Sequence, residues 1–278
     1  MTKRPELVAS DIGGTLSVEK YIIPPYTTCV LNQLVHRGIP VALVTGYNCR
    51  TALAYTGDLD SRIYLVVQNG AACIQDQRIL WEHHLPMRAI EKISELLGSI
   101  GSPIFIYKGK NDDFRNYIVD ASGSDQGRDY ICVQTLSDAK HTLGISTLVP
   151  NREMTAVRKK IGALNRGDMQ IITSMGDSMS WLEVTPKRAG KNLALCRLCK
   201  SIGVSMADVV YFGDNTNDIK ALEAVGYPVL VENALSELKR AFTHSVPTAA
   251  EEGVARYLSE LFGLRDEKCP CPGRRDNG

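Results

Sequence analysis

Three short apolar runs, each breaking off onto a polar, glycine-bearing stretch, constrain this chain most. Leu7-Val8-Ala9-Ser10 runs into Asp11-Ile12-Gly13-Gly14-Thr15. Val41-Ala42-Leu43-Val44 runs into Thr45-Gly46, and Val209-Val210-Tyr211-Phe212 into Gly213-Asp214-Asn215-Thr216-Asn217-Asp218. Continuous apolar runs this short read as strands buried on both faces, which is the habit of a parallel sheet. The stretches between them have helical periodicity, as over 25–37 with Val30, Leu31, Leu34 and Val35 on one face and Gly38 as the stop. Alternation of this kind predicts an α/β fold with helical crossovers.

The opening reads β-α-β-α-β, with strands over 6–10, 40–45 and 63–67 and helices over 25–37 and 49–56. The middle changes character. A hairpin is expected over 71–74 and 78–81, helices over 86–97 and 152–164, and strands over 103–107, 116–119, 145–149, 169–174 and 181–185, with a loop over 121–128. After Pro186 the first rhythm returns, with helices over 191–202, 217–225, 234–242 and 251–262 and strands over 208–212 and 227–231. The expectation is a Rossmann-like, doubly wound parallel-sheet core built from residues 1–79 and 187–265. An α+β cap domain is inserted at 80–186, and a tail without periodicity occupies 266–278. At 278 residues two domains suit the length.

Composition narrows the function classes. Lys and Arg number 32 against 31 Asp and Glu, a net charge of +1, so no overall electrostatic footprint for nucleic acid or an acidic membrane surface is expected. No window is apolar for long enough to span a bilayer, and the apolar run after the charged start is too short for a secretory signal, so a cytoplasmic location is expected. The eight cysteines are scattered and read as free thiols, Cys196-Arg197-Leu198-Cys199 as a semi-buried helix face. His83-His84 reads as solvated. Lys108, Arg115 and Asn116 are candidates in the inserted segment for reading the organic part of a ligand.

In an open parallel sheet, ligands bind beyond the carboxyl ends of the strands. Four stretches fall there. Asp11 can act as a nucleophile or a metal ligand, and the glycines after it let backbone N–H groups approach an anion. Thr45 and Gly46 offer a hydroxyl and a free amide to a phosphate oxygen. Lys191, opening a helix, can stand as a point charge against phosphate. Asp214 and Asp218, four apart, can point to one site. Acids crowded beside Asp11 repel one another unless a cation sits between them, and hard oxygen donors favour Mg²⁺.

In this order the four stretches resemble the haloacid dehalogenase-like (HAD) phosphatases, and within them the Cof-like group of subclass IIB, whose α/β cap lies between the second and third motifs. The resemblance covers residues 5–264. It is supported by Gln68-Asn69-Gly70-Ala71, Leu182-Glu183-Val184-Thr185-Pro186 and Val231-Glu232-Asn233-Ala234. It implies a Mg²⁺-dependent phosphatase acting on a small phosphorylated metabolite such as a sugar phosphate. Asp11 would form an aspartyl-phosphate. Thr45, Gly46, Lys191 and Asn217 would hold the phosphoryl group. Asp11, the Gly13 carbonyl, Asp214 and Asp218 would form the metal site.

The family's first motif is Asp-x-Asp-Gly-Thr, and here Gly13 replaces its second Asp. The resemblance gives that side chain the task of protonating the departing alkoxide and then activating water. General acid–base help of this kind is worth ~10²–10⁴-fold, about 3–5 kcal/mol. An alkyl ester is expected to feel the loss most and an aryl ester least. Tyr47, Asn48 and Glu19 are near the motifs and are candidates to replace the group, as are water or the substrate itself. Two functions follow: a phosphatase, impaired or served by another proton donor, or a weakened relative that binds a phospho-ligand as sensor or partner. The resemblance does not give the substrate or the oligomeric state.

Overall fold

The computed structural model describes residues 4–17, 19, 21–99, 103–110, 114–119, 131–133 and 140–264. Strand β1 (Leu7–Ser10) is fully buried, and its side chains alternate between two cores. Val8 packs with Leu31 and Leu34 of helix α1 (Pro25–His36), while Leu7 and Ala9 belong to the opposite face. Two-sided burial of this kind makes a strand uniformly apolar instead of alternating. Beside it run β2 (Val41–Val44), helix α2 (Cys49–Tyr55) and β3 (Tyr64–Val67). The hairpin β4 (Ala72–Gln75) and β5 (Arg78–Glu82) then extends the sheet antiparallel.

The chain next builds a second sheet. Helix α3 (Met87–Gly98) precedes β6 (Ile104–Lys108), β7 (Asn116–Val119), β8 (Ile131–Val133) and β9 (Thr142–Pro150). Helix α4 (Met154–Leu164), β10 (Met169–Ser174) and β11 (Met179–Pro186) complete it, in the order β10-β11-β9-β6-β7-β8. Period-two alternation decides its faces. Ile104 and Ile106 of β6, with Leu182 and Val184 of β11, pack against α3 and α4. Phe105, Tyr107, Trp181 and Glu183 therefore project from the other face.

The chain returns through α5 (Lys191–Ile202), β12 (Val209–Gly213), α6 (Ile219–Ala224), β13 (Tyr227–Val231), α7 (Ser236–Ala241), β14 (Ser245–Val246) and α8 (Gly253–Phe262). The first sheet then reads β14-β13-β12-β1-β2-β3-β4-β5, parallel from β14 to β3. Helices α1, α2 and α8 cover one face and α5, α6 and α7 the other. This is the α/β core with an additional inserted sheet that the sequence implies. Register places the site: Ser10 pairs with Phe212 on one side and Leu43 on the other, so β1, β12 and β2 end level.

Several elements differ from expectation. The helix expected from residue 217 opens as a 3-10 turn over Thr216–Asp218 and becomes α-helical at Ile219. The Asp218 side chain caps the backbone amides there, which tightens the first turn. Likewise a 3-10 turn over Ala249–Glu251 precedes α8. Strands β8 and β14 were not expected; three and two residues carry too little period to read. The loop expected at 121–128 and the tail 266–278 lie outside the described residues. No helix among the described residues is long and apolar enough to cross a membrane.

Candidate active site

Three adjacent strands deliver the site. Asp11 follows β1, Thr45 follows β2 and Asp214 follows β12. Lys191, the first residue of α5, is buried and lies between two carboxylates: its Nζ is 3.0 Å from Asp11 Oδ1 and donates to Asp218 Oδ1 at 2.7 Å. Asp218 accepts more bonds than this one. Its Oδ1 also accepts the Tyr211 hydroxyl at 2.6 Å, and its Oδ2 accepts the backbone N–H groups of Asp214 and Asn215, each at 3.1 Å. Asp218 is thus a buried anchor that holds Lys191 upright and shapes the turn after β12. Tyr211 is a site residue that the sequence reading missed. It looks like one more apolar strand residue, and only its register beside β1 brings its hydroxyl under Lys191.

The electrostatics are strained in one direction. Burial pushes Asp11 up to about 6, against the pull of Lys191. Burial and the charges of Asp11 and Asp218 push Asp214 up to about 8. For Lys191, burial acts downward, but Asp11 and Asp218 outweigh it and hold the ammonium above its usual range. One cation among three acids leaves negative charge uncompensated. The oxygens of Asp11, Asp214 and Asp218 lie within 4.8 Å of one another. Asp11 Oδ1 is buried, and among the described residues only the Lys191 ammonium faces it. A cluster of hard oxygen donors with surplus negative charge fits a small divalent cation.

The loop after β1 makes room for these groups. Gly14 adopts φ +77°, and a Cβ there would lie 2.5 Å from Asp214 Oδ2. Its carbonyl accepts Asn233 Nδ2 at 2.7 Å, and Thr15 Oγ1 donates to Asp214 Oδ1 at 2.8 Å. Gly13 is different. Its backbone permits a side chain, but a Cβ there would meet the Tyr47 hydroxyl at 2.3 Å and the ring carbon beside it at 3.0 Å. Tyr47 therefore fills the space a residue-13 side chain would enter. Its ring stacks on Tyr55 at 5.2 Å with planes 3° apart, and Tyr55 in turn packs against Tyr21 at 5.6 Å. The Tyr47 and Tyr55 hydroxyls lie a long 3.4 Å apart. Burial, with Tyr55 and the nearby acids, holds the Tyr47 phenol above the usual tyrosine range.

The other sequence candidates separate clearly. Thr45 is buried, and its Oγ1 accepts the Tyr47 backbone N–H at 3.1 Å, leaving its own proton to be donated. Gly46 lines the cleft. Asn217 donates to Asn69 Oδ1 at 3.2 Å, and Asn69 Nδ2 donates to Glu183 Oε2 at 2.6 Å. This chain ties the core to β11 across the joint between the two sheets. Gln68 and Asn69 hold left-handed backbone (φ 49° and 50°) to make the turn, and burial pushes Glu183 up to about 7. Asn48 Oδ1 caps α2 through Thr51 N–H and also accepts Asn116 Nδ2, while Glu19 is exposed. Lys108 and Asn116 are buried, Lys108 against the Lys140 carbonyl and Asn116 behind the cleft-lining Asn48. His83 and His84 bond Arg197 and Glu82. Cys199 is buried and Cys196 half-buried, both free thiols.

Asp11, Gly13, Thr45, Gly46, Tyr47 and Asn217 line a cleft of about 390 Å³, roofed by Tyr107, Ser174, Trp181 and Glu183 of the second sheet. Trp181 packs edge-on against Phe105 at 5.3 Å and stays partly exposed toward the cleft. Such a cleft can hold an anion beside Asp11, with Thr45 and Gly46 on its wall, while an organic group rests on the aromatic roof.

Known proteins share this fold. The chain is 24% identical over 278 residues to 5-amino-6-(5-phospho-D-ribitylamino)uracil phosphatase YitU of Bacillus subtilis, covering 95% of this chain and 100% of that protein. It is 26% identical to the HMP-PP phosphatase of Yersinia enterocolitica, covering 91% and 93%. Among solved structures, SMU.1108c of Streptococcus mutans superposes with a TM-score of 0.81 at 19% identity, covering 93% of this chain and 99% of that one. The HAD subclass IIB sugar phosphatase BT4131 superposes with a TM-score of 0.74 at 18% identity, covering 94% and 100%. The profile of the haloacid dehalogenase-like hydrolases matches residues 8–258, nearly the whole described chain, and the protein belongs to that family.

Proposed function

We propose that the protein is a phosphatase of small phosphorylated metabolites, working through a phosphoryl group carried by Asp11. The observation that carries this reading is the buried Asp11–Lys191–Asp218 chain at the level ends of β1 and β12, with Thr45 beside it. Phosphoryl transfer needs charge neutralisation and in-line positioning more than covalent help. Asp11 supplies the attacking oxygen. Lys191, fixed by Asp218, neutralises charge on the transferred group. Thr45 and the Gly46 amide take its oxygens, and Asn217, tethered through Asn69, shapes the same pocket. Asp11, Asp214 and the Gly13 carbonyl, with Asp218 in support, would hold Mg²⁺, which supplies further charge neutralisation when bound. The organic part lies under Trp181 and Tyr107. Relatives named as phosphatases of a ribitylamino-uracil phosphate and of HMP-PP support a metabolite substrate.

A second reading, in which the site binds a phospho-ligand without turnover, draws on Gly13, which leaves no carboxylate at that position. One experiment separates the two. The purified chain is assayed on a panel of phosphate monoesters with Mg²⁺ and with chelator, beside Asp11→Asn. Multiple turnover that needs Mg²⁺ and disappears in Asp11→Asn supports the phosphatase. Saturable ligand binding with no turnover of any panel member supports the binding protein.

A further inference from the structure

We propose that Tyr47 donates a hydrogen bond to the bridging oxygen of the phosphate ester as its bond to phosphorus breaks. The inference rests on the phosphatase reading, and four observations on the site carry it. First, the Tyr47 hydroxyl sits over Gly13, two residues from Asp11, in space that any side chain at 13 would have to share. Second, its proton is only loosely engaged: the one described partner of the Tyr47 hydroxyl is that of Tyr55, at a long 3.4 Å. Third, it is held. The parallel stack on Tyr55, itself buried, fixes the ring, so the hydroxyl is preorganised instead of searching for a partner. Fourth, Lys191 and Asp218, exposed at 1% and 0%, pack behind Asp11 and are not part of the cleft wall. A phosphoryl group against Asp11 therefore has its ester oxygen on the open side, where Tyr47 and Trp181 stand.

The chemistry balances without a new reagent. An Asp11 carboxylate oxygen bonds to phosphorus while the bond to the ester oxygen breaks. The charge that develops on that oxygen meets the Tyr47 O–H, and the departing alkoxide takes a proton from solvent. Water then attacks phosphorus, gives a proton to solvent and frees Asp11 and inorganic phosphate. The sum is ester plus water to alcohol plus phosphate. A donor at this place matters in proportion to the charge on the leaving oxygen, so an alkyl ester needs it and a nitrophenyl ester does not.

The test uses two esters of similar shape, benzyl phosphate and p-nitrophenyl phosphate, on the unmodified chain, Tyr47→Phe and Tyr55→Phe, with Mg²⁺. Removing one preorganised donor costs on the order of 10²–10³-fold in kcat. The expected result is a loss of that order on benzyl phosphate in Tyr47→Phe, with p-nitrophenyl phosphate changed only a fewfold. Tyr55→Phe keeps both the ring stack and the Tyr47 hydroxyl and removes only the long hydroxyl contact, so both rates are expected to change no more than a fewfold. The retained nitrophenyl rate reports that each variant is folded. Equal losses on both esters in Tyr47→Phe, or no loss on either, overturn the role of Tyr47 and leave the phosphatase reading standing. So does an unmodified chain that cleaves only the nitrophenyl ester. An unmodified chain that cleaves neither ester overturns the phosphatase reading and this inference with it.

Discussion

A methyl group at residue 13 is the smallest perturbation that probes the site's departure from its family. In Gly13→Ala the new Cβ would lie 2.3 Å from the Tyr47 hydroxyl and 3.0 Å from its ring carbon. Gly13 does not hold left-handed backbone, so the substitution carries no backbone strain of its own. Tyr47 must then give way, and it is pinned by the parallel stack on Tyr55. Overpacking of this kind costs about 1–3 kcal/mol. With Tyr47 cut back to Ala the clash is gone. Gly→Ala at a compatible position then gains about 0.4–1 kcal/mol through the unfolded chain. The sign of the effect should reverse between the two backgrounds. At about 2 °C per kcal/mol for a chain of this size, Gly13→Ala should lower Tm by several degrees in the native background and by none in Tyr47→Ala. The assay is a thermal-unfolding double-mutant cycle at one pH with chelator present. Equal losses in both backgrounds would show that Tyr47 does not occupy the space over residue 13. By the same reasoning Gly13→Asp alone does not simply restore the missing carboxylate; the acid gains its place only when Tyr47 is shortened as well.

Two further predictions concern pH. Glu183 is an acid whose folded pKa, about 7, lies above its ordinary 4.5, so its contribution is complete below pH 4.5 and is lost as pH rises through 7. Glu183→Gln keeps an acceptor for Asn69 without the buried charge. It should match the native chain near pH 5 and exceed it by about 2–3 kcal/mol near pH 8 in urea unfolding; no divergence with pH would contradict the assignment. Asp214 behaves alike, raised from 3.8 to about 8, so the metal-free chain should lose stability from about pH 4 through 8. A cation binds only the ionised form. Saturating Mg²⁺ should therefore raise Tm more at about pH 8.5 than at about pH 5, and an increment independent of pH would count against a metal at these carboxylates.

Much of this architecture was legible because local and global signals agree. Runs such as Leu7–Ser10 are apolar on both faces, a pattern that only a covered strand tolerates. The motif residues fall just after strand ends or at the start of the next helix, so Asp11, Thr45, Lys191, Asp214 and Asp218 were candidates before their distances were known. What was not legible depends on long-range contacts or on the exact course of a turn. The Asn69–Glu183 bond spans 114 residues and the Tyr211–Asp218 bond needs the 3-10 turn after β12. Tyr47 was one of three neighbours that could stand in for the missing side chain. Choosing it required the approach of the loop after β2 over the loop after β1, which no spacing encodes. Lys108 and Asn116 were candidates for ligand reading because polar residues in an inserted segment suggest it, but their burial was not legible. Both satisfy protein oxygens, as interior polar groups must.

The central claim is that Asp11 carries the phosphoryl group, and the most direct test is to trap it there. The chain is mixed with p-nitrophenyl phosphate and Mg²⁺, quenched in acid within a turnover, digested and weighed by mass spectrometry. The account predicts one added phosphoryl group on the peptide holding Asp11, labile at alkaline pH and absent from Asp11→Asn. Nitrophenol release that continues undiminished in Asp11→Asn, or a phosphoryl group found on a different residue, would contradict it.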